Sequence, residues 1–264
     1  MPCIITIKNI KIFLLVVSIN FFTVGSLTIA IGSLTIGLLS GCSTRAASKK
    51  TDNHSAAHYN AQLGARYLQN GRLKLANEKL EKALKQDNTS SEVHHYYALL
   101  QQKIGDNASA SKHFGMAVKI SRKDPNLLNN YGSYLCQMGD YGKAIEQFDL
   151  AAQNPFYQTP EFAYTNAGIC LRKIHNDTEA EVYFRKALHK NINFGSALFQ
   201  MAKLNYAQED FSKAQAFLLR YDEKNLPAVE SLTLCIKINK QLGNIDQADS
   251  CAEKKLRLVS TSQG

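Results

Sequence analysis

The chain has 264 residues, 45% hydrophobic and 20% charged, with five prolines, no tryptophan and a formal net charge of +9. That length supports one sizeable core or a short array of small units. No basic run is dense enough for a nucleic-acid footprint, which sets that class aside, and the Ala, Leu, Lys, Gln and Glu that dominate after residue 55 favour helix over sheet.

At the N-terminus, Lys8 and Lys11 precede a stretch from Ile12 to Thr44 without a charged residue. A positive start, a long apolar run and small residues at its end make the layout of a secretory signal. A membrane-spanning helix is the alternative, because the run is long enough to cross a bilayer. The junction Leu39-Ser40-Gly41-Cys42 resembles the bacterial lipobox, in which cleavage leaves the cysteine as an acylated N-terminus. That resemblance implies a signal peptide over 1–41, lipid on Cys42 and, from Ser43 rather than Asp, export to the outer membrane. Several acyl chains hold far more firmly than the marginal binding of one. Losing residues 1–41 removes two lysines and no acid, so the mature charge falls from +9 to +7. Such a surface favours acidic partners or anionic envelope polymers; a generic solvated helical surface is the plainer account. Residues 42–56, small and polar, read as a flexible tether.

From residue 57 a rhythm sets in. Gly132, Gly139, Ala144, Phe148 and Ala151 are preceded, 34 residues earlier, by Ala98, Gly105, Ala110, Phe114 and Ala117, and before those by Gly64, Gly71, Ala76, Leu80 and Ala83. A step of 36 leads on to Gly168, His175, Ala180, Phe184 and Ala187. Two further steps of 34 give Ala202, Glu209, Ala214, Leu218 and Tyr221, then Ile236, Gly243, Ala248, Ala252 and Lys255. A period of 34 is that of the tetratricopeptide repeat, a helix–turn–helix unit. The sequence resembles that family over residues 57–256. The resemblance implies an all-α superhelical solenoid of six repeats, near 57–90, 91–124, 125–160, 161–194, 195–228 and 229–256.

The residue types have mechanical reasons. A small residue midway along the first helix (A) lets the second (B) approach, and the alanine early in helix B sits against it. The intervening glycine suits the left-handed end of helix A. The phenylalanines fill the space between neighbouring hairpins. Asp124-Pro125 and Thr159-Pro160-Glu161 place an N-cap and then proline at the start of helix A. The two extra residues over 154–160 predict a longer loop. Repeats 5 and 6 decay, as suits a polar terminal cap, and a tail over 257–264 should fray.

Catalytic signals are absent: no P-loop, no HExxH and no strand-borne glycine fingerprint. His54 and His58 share a helix face at i, i+4 but lack a carboxylate partner in the pattern. His94 and His95 are adjacent and point apart, and Glu78 and Glu81 read as a solvated face. No metal, cofactor, nucleic-acid or small-molecule site is expected, and the reading is of a non-enzyme.

Removing the signal and lipidating Cys42 leaves Cys136, Cys170, Cys235 and Cys251, an even number in an oxidising compartment. Cys136 and Cys170 fall late in helix A of adjacent repeats, where a bond would bracket the 154–160 loop. Cys235 and Cys251 stand at comparable heights on the two helices of one hairpin. For each pair a buried free thiol is the alternative.

In tetratricopeptide proteins the concave face comes mainly from helix A, and the resemblance assigns partner binding to matching positions. Repeat 1 offers His58, Ala61, Ala65 and Leu68; repeat 2 offers His95, Leu99 and Gln102; repeat 3 offers Asn126, Asn129 and Ser133; repeat 4 offers Phe162, Ile169 and Arg172. The face is mixed and partly apolar, without an acidic cluster.

One tract is more specific. Asn129-Asn130-Tyr131-Gly132, Leu135-Cys136, Asn154-Pro155-Phe156-Tyr157 and Asn166-Ala167-Gly168-Ile169-Cys170 resemble the type IV pilus biogenesis lipoproteins of the PilF/PilW kind. In some members the two matching cysteines are bridged, which favours Cys136–Cys170. The resemblance implies a pilotin: an outer-membrane lipoprotein whose solenoid sits in the periplasm, binds the pilus secretin as protein partner and assists its localisation and multimerisation. A lipoprotein of outer-membrane barrel assembly or of peptidoglycan synthase regulation is the alternative.

Overall fold

The computed structural model describes residues 44–222, 225 and 227–261. The expected signal segment and Cys42 lie outside the described residues. Among the described residues there are twelve helices and no strand, arranged as six antiparallel hairpins. In order they are α1 (Thr44–Gln69) with α2 (Leu73–Gln86), α3 (Ser91–Ile104) with α4 (Asn107–Ile120), and α5 (Pro125–Gln137) with α6 (Tyr141–Ala152). Then come α7 (Pro160–Arg172) with α8 (Asp177–Lys190), α9 (Gly195–Ala207) with α10 (Phe211–Asp222), and α11 (Val229–Gln241) with α12 (Ile245–Thr261). Each odd helix is an A helix and each even one a B helix. Each A helix meets its own B helix, and neighbouring hairpins meet through successive A helices and through each B helix against the A helix that follows, so the hairpins stack into a tetratricopeptide solenoid.

Helix starts are set by short polar side chains. Ser90, Asp106, Asp124, Asp140 and Asn176 each accept a hydrogen bond from a backbone N–H in the first turn of the helix they precede. Thr159 departs from the expected pattern. It occupies the N-cap position before Pro160, but its side chain makes no cap bond, and the N–H of Phe162 donates to its carbonyl at 3.1 Å instead.

The hairpins close where sequence allows intimate contact. At Gly132 an added Cβ would lie 2.8 Å from the ring of Phe148, and at Gly168 only 2.5 Å from that of Phe184. Phe114, Phe148 and Phe184 are fully enclosed, as are the flanking alanines Ala110, Ala117, Ala144, Ala151, Ala180 and Ala187. The turns after the A helices use positive φ. Gly71, Gly105, Gly139 and Gly243 adopt it freely, whereas His175 (φ 57°) and Glu209 (φ 62°) adopt the same conformation with a side chain in place.

Two boundaries differ from expectation. Helix α1 begins at Thr44, so the segment read as a flexible tether is helical from that residue on. No Gly or Pro interrupts residues 44–63, and His54 and His58 fasten the helix to residues about one repeat away, Asp87 and Glu92. At the other end α12 continues to Thr261, through most of the expected fraying tail.

Candidate partner-binding groove

The A helices, which the tetratricopeptide resemblance assigns to the inner face, stand side by side, and their side chains meet at intervals of one repeat. Glu92 accepts from Gln62 Nε2 at 2.5 Å and is 2.6 Å from His58 Nδ1. Asn130 Nδ2 lies 2.9 Å from His95 Nε2, Gln102 Nε2 donates to Gln137 Oε1 at 2.7 Å, and Asn166 Nδ2 donates to Asn129 Oδ1 at 3.0 Å. Cys136 and Cys170 are disulfide-bonded, their Cα atoms 5.8 Å apart, which joins α5 to α7. Lys203 Nζ donates to Glu230 Oε1 at 3.0 Å between α9 and α11. This ladder stitches successive A helices together.

The ladder changes the standing of several expected contact residues. Ala61 is wholly buried in the core shared by repeats 1 and 2 and offers no surface. His95 is buried too, its ring against Tyr96 and Phe114. Burial pushes its pKa down to about 4, partly opposed by Asp124, so the neutral ring accepts from Asn130. His58, Gln102 and Asn129 reach the face but are already paired across repeats. Ser133 bonds its own helix at the Asn129 carbonyl, and Arg172 Nε donates to Asp177 at 3.2 Å. Ala65, Leu68, Leu99 and Ile169 are half-buried, and Asn126 is exposed. Phe162 remains a presented aromatic, 47% exposed and edge-on to Phe194 with centroids 4.7 Å apart.

A partly apolar cavity lies further along the A helices. It measures about 460 Å³, sits between α9 and α11 and is lined by Phe199, Lys203, Val229, Glu230, Thr233, Leu234 and Lys237. All but Val229 and Leu234 continue, in repeats 5 and 6, the helix-A positions considered in repeats 1 to 4. Extending that register past repeat 4 is the signal that finds them. A larger cavity of about 920 Å³ lies between α10, α11 and α12, where Cys235 and Cys251, bonded with Cα atoms 6.2 Å apart, form part of the wall.

Titratable groups do not converge on a reaction centre. Among the described residues no three His, Cys, Asp or Glu side chains are placed to hold a metal ion. His54 and His58 each take a different carboxylate, Asp87 and Glu92, so the i, i+4 pair does not act as a chelate. His94 and His113 face each other, Nδ1 to Nδ1 at 2.9 Å, between α3 and α4. Burial first, and then the neighbouring His94 and Lys112, push His113 down to about 4. No described helix is long and apolar enough to cross a membrane.

No family model matches the chain. It is 28% identical to the type IV pilus assembly protein PilF of Pseudomonas aeruginosa over 201 residues, 76% of this chain and 80% of that protein. The solved structure of Pseudomonas aeruginosa PilF superposes with a TM-score of 0.70 at 27% identity, covering 78% of this chain and 93% of that one. The crystal structure of PilW, a widely conserved type IV pilus biogenesis factor, superposes with a TM-score of 0.69 at 26% identity, covering 75% and 91%.

Proposed function

We propose that this chain, a homologue of PilF and structurally like the PilF and PilW tetratricopeptide proteins of type IV pilus biogenesis, works as a lipid-anchored adaptor at the outer membrane. Its inner face takes a segment of the pilus secretin and assists the secretin's localisation and multimerisation. The observation that carries this reading is the stitched groove of A helices ending in an open apolar pocket, in a chain that matches PilF over 76% of its length. The mechanism is non-catalytic. Apolar positions such as Phe199, Val229 and Leu234 offer burial to a partner's side chain, and Lys203 and Lys237 at the rim favour an acidic neighbour. The lipobox-like Leu39-Ser40-Gly41-Cys42 supports anchoring through Cys42, which raises the concentration of the groove near membrane-bound subunits.

The test is the secretin's multimer-to-monomer ratio in isolated outer membranes, read on unboiled denaturing gels with and without this gene. Loss of the multimer on deletion, restored by the wild type and not by Cys42→Ala, is the expected result. An unchanged ratio removes secretin assembly as the function.

A further inference from the structure

The two helices of each hairpin are antiparallel, so all A-to-B turns lie on one edge of the solenoid and all B-to-A turns on the other. The edges differ in chemistry. The A-to-B edge is mixed: it carries the acids Asp106, Asp140, Asp177, Glu179, Glu209 and Asp210, three of them capping B helices, the exposed Ile104 and Ile174, and cations of which Lys143, Arg172 and Lys213 are ion-paired with Asp140, Asp177 and Asp210. Over three successive turns the B-to-A edge is basic and apolar instead. Lys119, Arg122 and Lys123 stand at the end of repeat 2, Phe156 in the loop 153–159, and Lys190 and Ile192 after α8.

Phe156 is 83% exposed and Ile192 is 66% exposed, the first and joint second barest of the large apolar residues on the stacked repeats before α11. The loop holds Phe156 out by specific bonds. Asn154 Oδ1 accepts from the Phe156 N–H at 2.9 Å, Asn154 Nδ2 donates to the Lys123 carbonyl of the preceding turn at 2.7 Å, and Tyr157 is buried beneath. The next turn is braced by Arg220, which donates to the Ile192 carbonyl at 2.9 Å. Nearby acids are occupied: Asp124 accepts from the N–H groups of Asn126 and Leu127, and buried Glu161 accepts from Asn191. None of Lys119, Arg122, Lys123 or Lys190 has an ion-pair partner among the described residues.

Helix dipoles account for lysines in a last turn, such as Lys119 and Lys190. They do not account for Arg122 and Lys123 beyond the helix end, nor for two bare apolar tips in the turns that follow. Apolar tips flanked by unpaired cations suit an anionic bilayer surface, which accepts side chains at the headgroup boundary and attracts each Lys and Arg. We propose that this edge lies against an anionic phospholipid surface, with Phe156 and Ile192 entering the boundary and Arg122, Lys123 and Lys190 meeting lipid phosphates. The contact is independent of acylation at Cys42 and of the partner in the groove.

The absence of tryptophan makes the test direct. Phe156→Trp in the full chain, mixed with vesicles containing roughly a third phosphatidylglycerol, should give indole emission that shifts to the blue and is quenched by brominated acyl chains. Met138→Trp, on the A-to-B edge, should stay water-like on the same vesicles and reports any indiscriminate adhesion. Phosphatidylcholine vesicles, or Arg122→Glu with Lys123→Glu and Lys190→Glu, should return the indole at position 156 to its emission in water. All these positions are on the surface, and circular dichroism checks that the helices persist. Water-like, unquenched emission from position 156 on anionic vesicles overturns the proposal. So does equal quenching at both positions, or a blue shift that needs added outer-membrane protein and no lipid.

Discussion

Replacing Cys136 and Cys170 by serine opens a loop of 34 residues that the native chain holds closed. In the chain-entropy description, closing a loop of that length removes about 3.8 kcal/mol worth of denatured-state freedom at 25 °C, against about 3.1 kcal/mol for the 16-residue loop of Cys235 and Cys251. The two bonds act on different steps. The first joins A helices of neighbouring repeats, and the second joins the two helices of one hairpin. A solenoid's stability is a sum of repeat terms and nearest-neighbour couplings. Losing the first bond should therefore weaken the coupling between repeats 3 and 4, whereas losing the second should release repeat 6 alone. Urea unfolding followed by helix content, with Cys136→Ser/Cys170→Ser and Cys235→Ser/Cys251→Ser compared side by side, measures both. The first variant should lose roughly 3 to 4 kcal/mol and unfold in two separated steps. A loss below about 1 kcal/mol with a single unchanged transition would refute the assignment of this bond as the brace between the repeats. A chymotryptic cut at exposed Phe156 gives an independent check, since it falls between the two cysteines. The fragments should stay joined on a non-reducing gel and part only on reduction.

Other expectations are narrower. His95 has its folded pKa depressed to about 4 from an ordinary 6.5, so its neutral form is favoured in the fold. Its contribution is fully present above pH 6.5 and is lost as pH falls from there towards 4, costing about 2 kcal/mol by pH 5; His95→Gln should remove that part of the slope in pH-dependent denaturation. The Thr165 hydroxyl is buried without a hydrogen-bond partner, so Thr165→Val should stabilise by roughly 1 kcal/mol, read from the urea midpoint. His175→Gly and Glu209→Gly relieve left-handed backbone at the A-to-B turns and should each raise stability by about 0.5 to 1 kcal/mol net of glycine's entropy. Val229→Asp, at the exposed mouth of the pocket between α9 and α11, should lower the secretin multimer ratio while leaving the melting curve within about 0.5 kcal/mol of wild type.

The repeat was legible because its contacts are local. The small residue of helix A, the alanine of helix B and the aromatic four residues later meet within a single hairpin, so Gly132, Ala144 and Phe148 leave a fixed spacing in the sequence. The cap at Asp124 and the long turn before Pro160 are local in the same way. The inner face was less legible, because its chemistry depends on where consecutive A helices cross. Ala61, His95 and Thr165 occupy the same register as the half-exposed Asn129, Phe199 and Thr233, yet the first three are buried at the crossing. No periodic rule distinguishes them without the superhelical geometry. The start of α1 at Thr44 was hidden for a related reason: polar, small residues 44–56 are helical, and the contacts that hold this helix, His54 with Asp87 and, just past the segment, His58 with Glu92, come from residues about one repeat away.

The same geometry explains where the groove is available. In repeats 1 to 4 the A helices spend their inward polar groups on one another, through Glu92, His95, Gln102, Asn129 and the Cys136–Cys170 bond. These pairs join neighbouring A helices and leave few of their polar groups needing a partner, so a ligand there meets a preformed, already satisfied surface. In repeats 5 and 6 the equivalent positions are Phe199, Lys203, Thr233 and Lys237, and among the described residues the polar side-chain pair between these two A helices is Lys203 with Glu230. Its members are well exposed at the side chain, 36% and 69%, so it contributes little to holding the helices together. The decay of the repeat pattern towards the C-terminus thus has a second reading beyond capping. It replaces a self-satisfied seam by an open apolar pocket with cations at its rim, and that is the part of the inner face where a partner's side chain gains most from burial.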